Sequence, residues 1–447
     1  MPERAESPSE DDVTPTKSAL HDANVRVART SSARRYADIV PGGVSTRVGH
    51  AEDLARDRAL SSRAEALRRA LREVGASGDG DARTVERLYE YASVLQEQAE
   101  RCATNGKDDG LREELTLRAC EAYARAAELD GGRHGVYYNW GIALGDRAER
   151  ASARGDGESA RKLWDESIDK YERATRSREM ATVSTQQAAQ GLNNLGLAYQ
   201  SRATCVDHDR STATTLESAQ RAREERVKFL SAGVRKFRRA LRLDPSFDRA
   251  VYNLGTVVYG LSAEYASMAR LYPQDDTLAP LSRDYAIAAA IYVALALANV
   301  PDNDVYATSF GIVKHYLPTP YVFDEFFSYA VDTGATLDFI DVRLVLTPTE
   351  LRTHPKDDSG VDMIVPLPSV SSLEPLEDVT LSPLRARAVL HLVSPDAPPI
   401  ILAHGNIRAR DRVIDAVVVA RDLLLRRRDA SLAAALARAR LPGESSP

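Results

Sequence analysis

Three asparagines recur at one position of a repeated pattern. Asn139, Asn194 and Asn253 each stand just before a Trp-Gly or Leu-Gly step, in YYNWG, LNNLG and VYNLG. An asparagine carries a donor and an acceptor on one short side chain. It can therefore pair with both the N–H and the C=O of an extended peptide backbone. Tyr138, Asn193 and Tyr252, one residue earlier, would flank such a contact, and Arg249 would add a charge for an acidic ligand residue. The alternative use of these asparagines is structural, as hydrogen-bond partners of a neighbouring helix backbone.

A second group is basic. Arg408, Arg410 and Arg412 begin a run that continues with Arg421, Arg426, Arg427 and Arg428. Such residues could meet an anionic membrane, each contributing about 1 kcal/mol near its surface. Against this, Asp411, Asp415 and Asp422 are interleaved, as on a solvated helix face. No catalytic constellation is visible. Asp207-His208-Asp209 has no further ligand nearby, and His134, His315, His354, His391 and His404 pair with no nucleophile in sequence. Cys120 falls beside Ala119 on a helical stretch and reads as core. No nucleoside-triphosphate loop, dinucleotide fingerprint or zinc motif occurs. The expectation is a chain without enzymatic activity or cofactor.

These groups sit on helices. Residues 231–260 hold a helix with Gly233, Phe237 and Ala240, a stop at Pro245, and a second helix with Val251, Leu254, Gly255 and Val258. Proline has no N–H and cannot continue a helix. The pattern returns. Leu88, Tyr91 and Leu95 precede Ala119, Tyr123 and Ala126. Tyr137, Trp140, Gly141 and Leu144 precede Ser167, Tyr171 and Ala174. Leu192, Leu195, Gly196 and Tyr199 precede the 233–240 helix, and Val251 to Val258 precede Ala288, Tyr292 and Leu295. Four helix pairs in phase resemble tetratricopeptide (TPR) repeats. The spacing departs from that family: Gly141 and Gly196 are 55 positions apart and Gly196 and Gly255 are 59, against a period of about 34. The surplus falls in polar stretches at 104–110, 153–159, 207–218 and 273–280, which predicts lengthened helices and polar inserts along one edge.

The resemblance also implies roles. In TPR arrays the asparagine position faces the concave groove, so Asn139, Asn194 and Asn253 resemble the asparagine ladder of peptide-binding members. The groove positions of a chaperone-type carboxylate clamp hold Ile142, Leu197 and Thr256 here, so that clamp is not expected.

The expected organisation is a disordered tail (1–50), an N-terminal helix and Gly-rich linker (51–80), a TPR-like helical array (84–317), an aromatic capping helix (318–335, around Phe323, Phe326, Phe327 and Tyr329), a strand-rich module (336–428) and a helical C-terminal extension and tail (429–447). The period changes at Leu337. Strand candidates are 339–346, 350–354, 361–367, 386–393 and 400–404, with turns at 356–360, Ser382-Pro383 and 394–399. A last helix follows Asn406, a plausible N-cap, with Val413, Ile414, Val417, Val418, Leu424 and Leu425 as its buried stripe. Short strands closed by one helix resemble a pleckstrin-homology (PH)-like barrel. The usual Trp of its closing helix is replaced by Val418 or a neighbour.

Net charge is −6, and 28% of residues are charged. This is no footprint of a nucleic-acid binder. Three cysteines without ligand spacing fit a reduced compartment. The acidic N-terminus is unlike a signal peptide. The richest apolar run, 285–300, reads as a packed repeat helix, and no membrane span is expected. The order of elements, with YYNWGIAL, AVYNLGTVVYGLS and the ending PPIILAHGNIRARDRVIDAVVVARDLL, resembles the plant TPR proteins known for hypersensitivity to latrunculin B, over residues 85–427. That family implies a non-enzymatic adaptor in post-Golgi and endosomal membrane traffic linked to actin. It implies a protein partner in the groove, a possible anionic membrane surface at the C-terminal module and no nucleic acid. The implied location is cytoplasmic, peripheral on the trans-Golgi network and early endosome. The rival readings are a co-chaperone-like peptide receptor and an enzyme assembled from distant residues.

Overall fold

The computed structural model describes residues 50–75, 82–104, 109–212, 215–332, 337–355, 363–376, 388–394, 397–426 and 428–439. The expected N-terminal tail, the Gly-rich linker, the turns at 356–360 and Ser382-Pro383, Arg427 and the C-terminal tail lie outside the described residues. The chain divides at Phe247/Asp248 into two compact units. The fourth helix pair falls in the C-terminal unit, so this division lies inside the expected helical array (84–317).

The N-terminal unit is helical. It holds α1 (His50–Gly75), α2 (Ala82–Thr104), α3 (Asp109–Leu129), α4 (His134–Ala153), α5 (Gly157–Arg176), α6 (Thr185–Thr212) and α7 (Leu216–Leu243). Consecutive helices pack as α2/α3, α4/α5 and α6/α7 pairs, and α3/α4 and α5/α6 join the pairs. The helices are long, 20 to 28 residues from α2 onward. The surplus over the short repeat period has gone mostly into the helices. Asp207, His208 and Asp209 continue α6, and Leu216 to Ser218 already belong to α7. The polar stretches expected to project as inserts are therefore largely helical. Local chemistry sets the turns. Gly155 has φ +79 between α4 and α5, a backbone region that L side chains avoid. The carboxylate of Asp156 then caps α5 by accepting from Ser159 N at 3.0 Å, and Thr215 with Ser218 forms a reciprocal cap on α7.

One packing step recurs. A Cβ placed on Gly141 would lie 3.0 Å from the Tyr171 ring, and one on Gly196 would lie 2.6 Å from Phe237. In the C-terminal unit a Cβ on Gly255 would lie 2.9 Å from Val293. In these three pairs the first helix lends a glycine so that a bulky residue of the second can close against its backbone. Close packing of this kind leaves no room for a methyl group.

The C-terminal unit is built on α8 (Asp248–Leu271), α9 (Leu278–Asn299) and α10 (Asp304–Val313), followed by seven strands, α11 (Ile407–Leu425) and α12 (Asp429–Ala439). Helix α9 is long and apolar enough to cross a membrane by length and composition alone. Here its residues from Ala288 to Asn299 are all buried, against α8, α10, α11 and α12. A helix apolar on all sides is a core helix.

The strands are β1 (Phe323–Asp332), β2 (Leu337–Leu346), β3 (Glu350–Pro355), β4 (Met363–Pro366), β5 (Ser372–Leu376), β6 (Ala388–Ser394) and β7 (Ala397–His404). They form one antiparallel sheet, ordered β4-β3-β2-β1-β7-β6-β5, curled into a half-barrel. Four expected strands match β2, β3, β4 and β6, and 400–404 lies within β7. The aromatic capping helix does not exist. Residues 323–332 are β1, paired with β2 along ten positions from Phe323↔Leu346 to Asp332↔Leu337. Phe323, Phe327 and Ala330 are buried, a spacing that suits one helix face, whereas in the strand Ala330 lies on the face opposite Phe323 and Phe327. The module therefore starts at β1. Strand β5, which carries Pro375 on the sheet's edge, was not expected.

Helix α11 begins as predicted: the Asn406 side chain accepts from Arg408 N at 2.9 Å. Its buried face is rotated from the expected one. Val413, Ile414 and Val417 are buried, but Val419, Ala420 and Leu423 complete the stripe, while Val418 and Leu424 are half-buried and Leu425 is exposed.

Candidate functional site

The asparagine row points inward. Asn139 has no exposed surface, and Asn193, Asn194 and Asn253 are buried. Asn139 Nδ2 donates to Tyr89 Oη at 3.1 Å. Asn194 Nδ2 donates to Tyr138 Oη at 2.9 Å, and its Oδ1 accepts from Gln190 Nε2 at 2.8 Å. Tyr138 and Tyr252 are buried too, and Tyr252 Oη pairs with Ser309 Oγ at 2.8 Å. Each asparagine of the N-terminal unit thus holds a tyrosine hydroxyl of the preceding first helix. Arg249 is half-exposed and stands alone among the seven residues assigned to peptide binding. The groove ladder is corrected: buried amides cannot read a peptide. The structural alternative is realised with side-chain hydroxyls in place of backbone groups.

The arginines of α11 are also internal. Arg412 is 2% exposed and reaches the Asp284 carbonyl oxygen at 3.1 Å and the Glu325 carboxylate. Arg410 is buried and pairs with Asp411 at 2.9 Å. Arg408 is partly exposed; its guanidinium lies 5.7 Å from the Tyr285 ring centre. Two of the three are spent inside the unit, because α11 must close over α9 and β1 and carries its charge into that contact. A membrane-facing row of Arg408, Arg410 and Arg412 is therefore not what this helix presents.

Other candidates resolve as structure. Cys120 is buried, and burial pushes its thiol up to about 12. No group of three or more metal-ligating side chains gathers among the described residues. His134 is buried with Nδ1 3.0 Å from the Ala174 carbonyl oxygen, and burial holds its pKa below the ordinary histidine value.

What the fold does open is a cleft on the half-barrel. Strands β1 and β7 pair only at Ser328↔Ala403 and Tyr329↔Leu402. Next to this short seam lies a cavity of about 260 Å³, lined by Phe326, Phe327, Ser328, Asp341, Ala403, His404 and Gly405. Strand alternation explains its two characters. Phe327 turns inward, its ring 4.8 Å from His404. Phe326 turns outward and is 58% exposed. Ser328 Oγ donates to Asp341 Oδ1 at 3.3 Å. His404 Nδ1 accepts from Asn406 N at 2.9 Å, and burial lowers its pKa. Ser328 is thus turned to a carboxylate and His404 to the α11 cap. The pair does not form the serine–histidine hydrogen bond that a nucleophilic mechanism uses. The cleft is smaller than a typical small-molecule pocket and is suited to one side chain.

Sequence reasoning missed this cleft because Phe326 was placed on a helix. The available signal was FDEFFSY: Phe323 and Phe327 share one face of a strand, and Phe326 falls on the other. No protein-family model matches the chain, and no curated protein matches it.

Proposed function

We propose that this chain is a non-enzymatic protein–protein interaction adaptor. The observation that carries the reading is Phe326. Phe326 is a large aromatic ring, 58% exposed, beside a side-chain-sized cleft, and aromatic residues in such places are frequent anchors of protein interfaces. The paired long helices read as TPR-like, and the curled sheet with α11 reads as PH-like; both architectures serve as docking scaffolds. The cellular setting comes from the resemblance to the latrunculin-hypersensitivity family: post-Golgi and endosomal membrane traffic linked to actin, on the cytoplasmic face of the trans-Golgi network and early endosome. Binding is assigned to the β1–β7 cleft and not to the asparagine row.

The test places a photo-reactive phenylalanine analogue at position 326 of the full chain in cells. A crosslinked protein is identified, purified and titrated against wild type and Phe326→Asp. The expected result is affinity at least tenfold weaker for the variant, with an unchanged unfolding temperature. A crosslinked protein that binds both chains equally, or no crosslink at all, removes the cleft from the reading. Turnover of a small molecule lost in Asp341→Asn would favour the rival enzyme reading.

A further inference from the structure

The exposed face of α7 carries a run of cations uninterrupted by any carboxylate. Between residues 226 and 242 the sequence carries Arg226, Lys228, Arg235, Lys236, Arg238, Arg239 and Arg242, and no acidic residue, in a chain whose net charge is −6. At about 100° per residue, Lys228, Arg235, Arg239 and Arg242 fall within an arc of about 60°. All four are exposed. Several cations elsewhere in this unit are matched one turn away: Arg118 with Glu114, Lys162 with Glu158, Arg173 with Asp169, Arg221 with Glu217. Lys236, on the flank of the arc, bonds Glu172 at 3.0 Å. Lys228, Arg235 and Arg239 have no carboxylate within ion-pair distance among the described residues. Like charges one turn apart repel, so folding alone does not favour this arrangement.

We infer that this face of α7 binds an acidic segment of a partner protein. The four cations span about 21 Å along the helix, a length that about six extended residues cover. The stripe is bounded: toward the N-terminus the same face carries exposed Glu217 and Glu224, and the one cation between them on that face, Arg221, is paired with Glu217 at 2.6 Å. A long polyanion such as a nucleic acid would run onto those carboxylates, and the arc offers no aromatic ring for base stacking. A bilayer would meet a narrow ridge with a single exposed large apolar side chain among the described residues of α7, Leu243 at its end, which is no amphipathic face to insert. A short acidic peptide fits both the length and the boundary. The inference is independent of the Phe326 cleft, which lies in the other unit.

The test is fluorescence anisotropy of a labelled octaglutamate peptide with the full chain. Two variants are compared with wild type: Lys228→Gln/Arg235→Gln/Arg239→Gln, which keeps good helix formers at exposed sites, and the corresponding triple change to Glu. Circular dichroism checks both folds, and the Gln variant alone suffices if the Glu variant unfolds. Saturable binding is expected, weakening several-fold from 50 to 300 mM salt as counterions compete and at least tenfold in the Gln variant. Absence of saturable binding overturns the inference, as does equal affinity in the variants. Tighter binding through the same residues to a single-stranded oligonucleotide of equal charge, or to phosphatidylserine vesicles, also overturns it.

Discussion

Arg412 carries a full charge into the C-terminal unit and meets two acidic residues there, Asp284 and Glu325. Removing one partner of a buried pair leaves the other charge uncompensated, which costs about 3–5 kcal/mol. Arg412→Ala is therefore expected to lower stability by about that much in denaturant unfolding. Arg408→Ala, at a partly exposed site with a 4.0 Å approach to Asp284, should cost under about 1 kcal/mol. Equal losses for the two would show that Arg412 is not the tether described. The glycines give a second residue-level contrast. Gly196→Ala would drive a methyl into the Phe237 ring and is expected to destabilise by about 1–3 kcal/mol. Gly311→Ala, on α10 with nothing within 4 Å of the new Cβ, is expected to stabilise by up to about 1 kcal/mol through helix propensity. Thermal unfolding of the two variants measures both signs.

Among elements, the first helices of the N-terminal unit are registered by buried polar pairs. Tyr89 meets Asn139 from α2 to α4, and Tyr138 meets Asn194 from α4 to α6. Apolar packing alone allows helices to slide; a buried hydrogen bond admits one register. Asn194→Leu would leave the Tyr138 hydroxyl and the Gln190 amide without this partner. Its expected cost is about 1–3 kcal/mol, read from chemical denaturation, with a larger effect than Asn194→Asp, in which the Tyr138 hydroxyl can turn to donate to the carboxylate. Strand β1 is the element where local reading failed. Its buried residues satisfy a helix period at Phe323, Phe327 and Ala330, and only the ten-residue ladder with β2 decides for the strand.

For the whole molecule, three histidines with lowered pKa values, of which His134 is fully buried, His404 half-buried and His315 at the surface, contribute to the acid side of the stability curve. Burial lowers the pKa of His134 in the N-terminal unit, and of His315 and His404 in the C-terminal unit. The unfolded chain takes up protons near pH 6.5, while the folded chain resists until lower pH. Their contribution is therefore fully present above about pH 6.5 and falls as pH drops below it. The unfolding temperature is expected to be lower at pH 5.5 than at pH 7.5. Part of that difference should disappear in His134→Gln, which removes the titration. A difference that persists in full would assign the acid sensitivity to other groups.

Composition and periodicity alone determined the predominance of helix, the pairing of α2 to α9, the recurrent glycine steps, the Asn406 cap and the place of five of the seven strands. These follow from local rules: apolar spacing, the missing N–H of proline, a side chain that accepts at a helix start. The tertiary structure alone decided which way the asparagines and the α11 arginines point. The same residue types serve a groove, a membrane or a core, and only the neighbours at Tyr89, Tyr138, Asp284 and Glu325 select the core. It also decided that 323–332 is a strand, because strand pairing is a non-local interaction with 337–346. The exposure of Phe326 followed from that choice, since alternation along β1 turns its ring away from Phe323 and Phe327.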